Sequence, residues 1–425
     1  MDEKTTRLLT PERMLLALGA VVTVTLAVLG WYRLSYGFNF IDEGMYMADA
    51  WRMAAGDRLF PDNSTSVVRL YVVFNELIFR LFPDATLLFF RQLQYGLSLI
   101  SMMAVAFAAW RWVRSAWVVV LALSLFAYTG LDPNGLPANL SYYVYPHAFL
   151  ALHVALLLLA LDSERPNLRV ALLVASGTSL WAMGFSLLPL SAAAAAPVVL
   201  WGANRLLKAG LPFGRKEVVL VLAPVAIGWV FALALMGGDF FSALADMRRY
   251  FAEGDPTAGA LSNEAAPYYA IIGAYLVLVL AALRLPGSMR GGIIGLLAVA
   301  FFAISDTNAL GLIPYYWRGW FAEPMWLAAL LGTGLLLTAL HLAWRSLKRH
   351  PLDRNEQFLL AVLVPCALVA MLFSYFSGMG RLATNHTALL STVLVAVFLA
   401  QRAAAVNGTT WLKAGVVLAA LFPVY

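Results

Sequence analysis

The feature that most constrains this chain is a long succession of apolar runs separated by short charged breaks. A helix that crosses a bilayer needs roughly 20 apolar residues. Runs near that length fall at 14–34, 86–109, 116–130, 144–161, 170–183, 185–203, 217–236, 267–283, 292–304, 326–344, 358–376, 387–401 and 412–425, which makes 13 candidate membrane helices. The stretch 170–203 is too long for one helix. Gly184 and Pro189 lie inside it, so it reads as two helices joined by a tight turn.

Composition closes off the alternatives. A soluble domain is about a quarter charged, whereas here 12% of residues are charged and 62% hydrophobic. A globule in water could not hide so much apolar surface. Disordered chains and small disulfide scaffolds are excluded by the same figures. The single cysteine, Cys366, allows no intramolecular disulfide and no cysteine-based metal site. Its apolar surroundings mark it as a small buried hydrophobe. The expected fold is all-α: one polytopic transmembrane helical bundle of about 13 helices over residues 1–425.

The charges then orient the bundle, because cytoplasmic loops are rich in Lys and Arg. With the N-terminus inside, the inner segments hold 19 of the 29 basic residues, all five lysines among them, and 8 of the 23 acidic ones, a net of +11. The outer segments hold the other 10 basic residues, all arginine, and 15 acidic ones, a net of −5. The overall +6 is therefore a topological signal and not a nucleic-acid footprint. The first run is too long for the core of a cleavable signal peptide and lacks a small-residue cleavage site, so it reads as an anchored helix.

Most connections are short, but residues 35–84 form an outer segment of about 50 residues. Two amphipathic helices are expected in it. One runs over about 43–55, with Met47, Ala50, Trp51 and Ala54 on one face and Gly56 at its end. The other runs over about 67–82, with Leu70, Phe74, Leu77 and Leu81 on one face and a Glu76–Arg80 pair at i,i+4. Both would lie in the headgroup layer with their apolar sides down. Asp42 and Glu43 stand where the first membrane helix gives way to this segment. Asp42 suits a helix N-cap, and Glu43 suits the positive end of the helix. A capped carboxylate at the membrane surface is also suitably held to act as a general base.

The segment resembles the GT-C superfamily of membrane glycosyltransferases, in particular the branch of protein O-mannosyltransferases and lipid A aminoarabinose transferases. The resemblance rests on a first membrane helix followed by Asp42-Glu43-Gly44-Met45-Tyr46, then Gly56-Asp57-Arg58-Leu59-Phe60-Pro61-Asp62, then Arg69 at the basic position and Arg91 near the start of the second membrane helix. The strong part covers 14–110. Departures are Leu70-Tyr71 where two prolines often stand, and Trp181-Ala182-Met183-Gly184 where a lysine is often found. Members often carry a soluble C-terminal domain; this sequence ends in an apolar run, so that domain is lacking or the chain is truncated.

Such a resemblance implies an inverting glycosyltransferase. A sugar would leave a polyprenyl-phosphate donor for a lipid, glycan or protein acceptor on the extracytoplasmic side of a membrane, expected to be a bacterial inner membrane. Asp42 would be the general base, with Glu43 orienting it or second in line. The leaving lipid phosphate needs cations, and arginine bonds phosphate oxygens in a bidentate way. Outer candidates are Arg69, Arg91, Arg318 and Arg381, with His386 beside the last. Tyr46, Tyr145, His147, Tyr316 and Trp317 are candidates for sugar or acceptor contacts, although Tyr316 and Trp317 also suit an interface anchor and His147 helix packing. Apart from the lipid-linked sugar as co-substrate, no cofactor is implied, and a divalent metal stays open. No glycine loop suited to a nucleotide is present. Two other readings remain: a transporter or flippase for a lipid-linked sugar, or a non-catalytic relative. A transporter would carry ionisable residues at mid-membrane and often an inverted repeat, whereas these carboxylates cluster at the outer surface.

Overall fold

The structure is a computed structural model, and it describes residues 11–36, 42–60, 62, 70–113, 144–253 and 352–376. The described residues form helices and no strand. In chain order these are α1 (Pro11–Arg33), α2 (Asp42–Ala55), α3 (Val72–Leu81), α4 (Leu87–Val113), α5 (Val144–Asp162) and α6 (Pro166–Ser186). A 3-10 helix (Leu188–Ala195) comes next, then α7 (Ala196–Leu206), α8 (Arg215–Glu253) and α9 (Arg354–Phe376). The expected spans 116–130, 267–283, 292–304, 326–344, 387–401 and 412–425 lie outside the described residues.

Among the described residues, four helices are long and apolar enough to cross a bilayer: α4, α5, α6 and the Arg215–Ala245 part of α8. The protein is an integral membrane protein. The α5 helix is apolar all round, and most of its residues are buried, so it runs through the middle of the bundle. Around it, α4, α6, α7, α9 and the 3-10 helix supply one continuous core that includes Trp112, Leu158, Leu173, Met183, Phe358 and Cys366. Within that core His153 and Ser176 tie α5 to α6. The Ser176 hydroxyl donates to the His153 carbonyl at 3.1 Å and lies 2.9 Å from its Nδ1.

The break expected inside 170–203 is present, but the chain beyond it is not a simple helix. Leu187 turns the backbone with extended dihedrals (φ −141°, ψ 98°), and a 3-10 stretch intervenes before α7. Pro189 in the first turn favours this tight entry. Gly184 permits it, because a Cβ there would stand 2.9 Å from Ser191 Cα. The expected span 217–236 also proves longer. The α8 helix continues to Glu253 across a kink at Gly237, whose φ of 63° is left-handed.

The two ends of the bundle are held differently. At the end remote from α2 and α3, Asp162 closing α5 accepts from Arg111 Nη2 at 2.8 Å and from Arg354 of α9. The Arg354 guanidinium also lies over the Trp112 ring, 5.3 Å from its centroid. Arg169 and Glu217 pair at 3.1 Å between α6 and α8. All these residues belong to the set that the charge argument places together on one side.

Candidate functional site

At the other end, α2 and α3 fold back onto the membrane helices. Leu34, just beyond α1, is 1% exposed, and the chain then turns towards α2. On α2 the buried apolar residues are Met47, Ala50 and Met53, spaced for one helical face. They meet Val72, Val73, Phe79 and Phe90 of α3 and α4. Trp51, grouped in the sequence with the apolar face, is instead 59% exposed. The periodicity is right, but protein rather than lipid covers much of that face. Gly56 ends the helix with φ 123°, and its N–H reaches Met53 O at 3.1 Å. The acidic residues just beyond shape the loop: Asp57 takes Arg52 Nε at 2.6 Å, and Asp62 takes the Arg58 backbone N–H at 2.8 Å.

The α3 helix begins at Val72, later than the expected start at 67; residues 63–69 lie outside the described residues. The expected face divides. Leu70 is buried, and Phe74 packs with Phe60, Phe185 and Tyr145, while Leu77 and Leu81 are exposed. Glu76 and Arg80 pair at 2.7 Å as their spacing requires. The Tyr71 backbone N–H donates to Ser186 O at 3.1 Å, which fastens α3 to the end of α6.

The strongest polar contact of this end joins Glu43 to Arg91. Arg91 Nε donates to Glu43 Oε1 at 2.9 Å and Nη2 to Oε2 at 2.5 Å, a bidentate pair whose side chains are 0% and 4% exposed. The third guanidinium nitrogen, Nη1, donates to the carbonyls of Leu34 at 2.8 Å and Tyr36 at 3.4 Å. One arginine on α4 therefore fixes both the exit from α1 and the first turn of α2. Asp42 is the first residue of that turn, and Tyr46 lies one turn further on. At the end of α1 the hydroxyls of Tyr32 and Tyr36 lie 2.5 Å apart, and this bond holds the Tyr36 phenol above its ordinary pKa.

Behind the ion pair lies a buried polar cluster, of which the sequence points to Tyr145 but not to Asn75 or Gln94. The Tyr145 hydroxyl donates to Asn75 Oδ1 at 2.6 Å and also bonds the Gln94 side chain. Asn75, Gln94 and Tyr145 are 1%, 2% and 4% exposed. The Tyr145 ring stacks on Tyr71 at 6.2 Å and on Phe149 at 6.3 Å. His147 is buried on the same helix. Arg91, Gln94, Ser98 and Ser101 form a polar stripe on α4, all turned inward. That i, i+3, i+7, i+10 spacing could have been read from the sequence as an interior face.

Of the residues expected to act, the structure brings Glu43 and Arg91 together and sets Tyr145 one helix away. Arg69, Tyr316, Trp317, Arg318, Arg381 and His386 lie outside the described residues. Among the described residues, no three of His, Cys, Asp and Glu come together as metal ligands would.

With this geometry in place, comparison with known proteins gives a structural match. The chain resembles the crystal structure of an oligosaccharyltransferase from Archaeoglobus fulgidus in its apo form, with a TM-score of 0.51 and 13% identity over 97% of this chain and 54% of that one. The likeness is one of fold. A second structure of the same archaeal protein, in complex with an inhibitory peptide and a dolichol-phosphate, matches with a TM-score of 0.48 and 14% identity over 96% of this chain and 53% of that one. The chain thus spans about half the length of the structures it matches. No family model matches the sequence, and no curated protein matches it.

Proposed function

We propose that this protein is an inverting membrane glycosyltransferase. It moves a sugar from a polyprenyl-phosphate donor to a hydroxyl-bearing acceptor on the extracytoplasmic side. Asp42 accepts the proton that the acceptor loses as it attacks the anomeric carbon. Arg69, Arg318 and Arg381, with His386, meet the charge that develops on the lipid phosphate.

The observation that carries this reading is the Glu43–Arg91 pair. A general base gains from a fixed orientation, and here the residue next to Asp42 is clamped by a buried bidentate arginine that also grips the preceding chain. In this reading Glu43 and Arg91 position Asp42. The GT-C type fold and the loop motif support the same conclusion.

The test is transfer of labelled sugar from polyprenyl-phosphate donors by the purified protein. Asp42→Asn should lower kcat by about 10²–10⁴-fold, the usual contribution of a general base. Arg69→Ala should mainly weaken donor use. Undiminished transfer by the Asp42 variant sinks its role as base. If wild type turns over no donor while a labelled solute crosses sealed vesicles, the protein is a transporter.

A further inference from the structure

The Asn75–Tyr145–Gln94 cluster has no part in the chemistry described so far, and it is not saturated. Gln94 Oε1 is buried without a hydrogen-bond partner. Leaving a buried acceptor unmade is costly, and in native proteins such groups usually have a reason. The cluster is uncharged, made of two amides and a phenol, so it suits hydroxyl groups better than phosphate. Its walls are aromatic. From Tyr145 the rings continue through Phe74 (5.5 Å) to Phe185 (5.6 Å from Phe74) and on to Trp181 (5.3 Å from Phe185). A neutral acceptor beside aromatic rings suits a hydroxyl and the apolar face of a pyranose or furanose ring.

We propose that this aromatic row, with Gln94 and Asn75, takes up the sugar of the lipid-linked donor. The inference rests on the proposed function and names the part of the site that reads the sugar. Gln94 lies one turn beyond Arg91 on the same face of α4, between two membrane-spanning helices. A molecule anchored in the bilayer reaches that position more readily than an acceptor arriving from water. Tyr71 and Phe74 close over the cluster, so entry of the sugar draws α3 away from α5. One sugar hydroxyl then donates to Gln94 Oε1.

The experiment compares binding of undecaprenyl phosphate with that of undecaprenyl phosphate carrying glucose, mannose, galactose or an amino-pentose. It uses the full-length protein in lipid nanodiscs. Wild type should bind at least one glycosylated lipid more tightly than the bare one. Gln94→Met keeps the length of the side chain and removes the acceptor. It should cut that preference about tenfold, the scale of one buried hydrogen bond, and leave affinity for the bare lipid unchanged. Equal loss for both lipids in Gln94→Met means packing only and overturns the proposal. An unchanged preference overturns it too, while donor transfer by the same samples leaves the proposed function standing. If wild type binds none of the lipids and transfers nothing, both readings fall.

Discussion

Replacing Arg91 by methionine should expose how much of the loop architecture rests on one side chain. Glu43 has no exposed surface and Arg91 has 4%. The substitution keeps the apolar stem, removes both donors to the carboxylate, and removes the bonds to Leu34 O and Tyr36 O. Breaking a buried pair from one side costs about 3–5 kcal/mol, because the remaining charge is left in a dry site. Glu43→Gln should cost less, about 2 kcal/mol, because the amide can still accept one guanidinium bond. The double variant should lose well under the sum of the two, with a coupling of about 2–3 kcal/mol. Unfolding in mixed detergent–SDS micelles, or steric trapping in bilayers, measures all three. In the transfer assay Arg91→Met should lower kcat far more than it changes KM, because Asp42 loses its orientation while the donor site keeps its cations. Single variants within about 1 kcal/mol of wild type, or a cycle additive within about 0.5 kcal/mol, would refute the clamp.

Three further outcomes are expected. Gly177→Ala drives a Cβ into the Val221 carbonyl oxygen, well inside contact distance. It should destabilise the α6–α8 contact by about 1–3 kcal/mol, seen as a lower melting midpoint in detergent; an unchanged midpoint contradicts the packing. Asp162→Asn weakens two arginine contacts at once. It should cost about 1–3 kcal/mol and loosen α9, read as faster amide hydrogen exchange over 354–362; exchange confined to wild-type rates there rejects the link. Tyr145→Phe keeps both ring stacks and leaves Asn75 Oδ1 without its phenol donor. A loss of about 1–2 kcal/mol is expected, and none at all would mean that water replaces the hydroxyl.

Among the described residues, several membrane helices are legible in the sequence. The runs 86–109 and 144–161 correspond to Leu87–Val113 and Val144–Asp162, because a bilayer demands continuous apolar length and charge marks where it ends. The α2 helix was legible from the spacing of Met47, Ala50 and Ala54, yet its partner was not. Periodicity says which residues share a face and is silent on whether protein or lipid covers it, so Trp51 was grouped with residues that the structure buries. The same holds for the ion pair. Glu43 and Arg91 were each marked as important, but 48 residues separate them and no local pattern encodes their meeting. Asn75 and Gln94 were hidden for another reason. A neutral amide hardly dents the apolar average of a membrane helix, so only the spacing after Arg91 could have revealed it.

The knot around Asp162 has a consequence for how the chain is made. Arg111 precedes the aspartate by 51 residues, whereas Arg354 comes 192 residues after it. At a synthesis rate of about 5–20 residues per second, roughly 10–40 s pass between the emergence of Asp162 and that of its second arginine. For that interval Asp162 has Arg111 but not yet Arg354, and the face of Trp112 that α9 will cover waits for its occupant. The bundle is therefore assembled in instalments, with α9 locking a joint laid down early. A ribosome stalled between the two arginines would leave a nascent intermediate recognisable by its open joint.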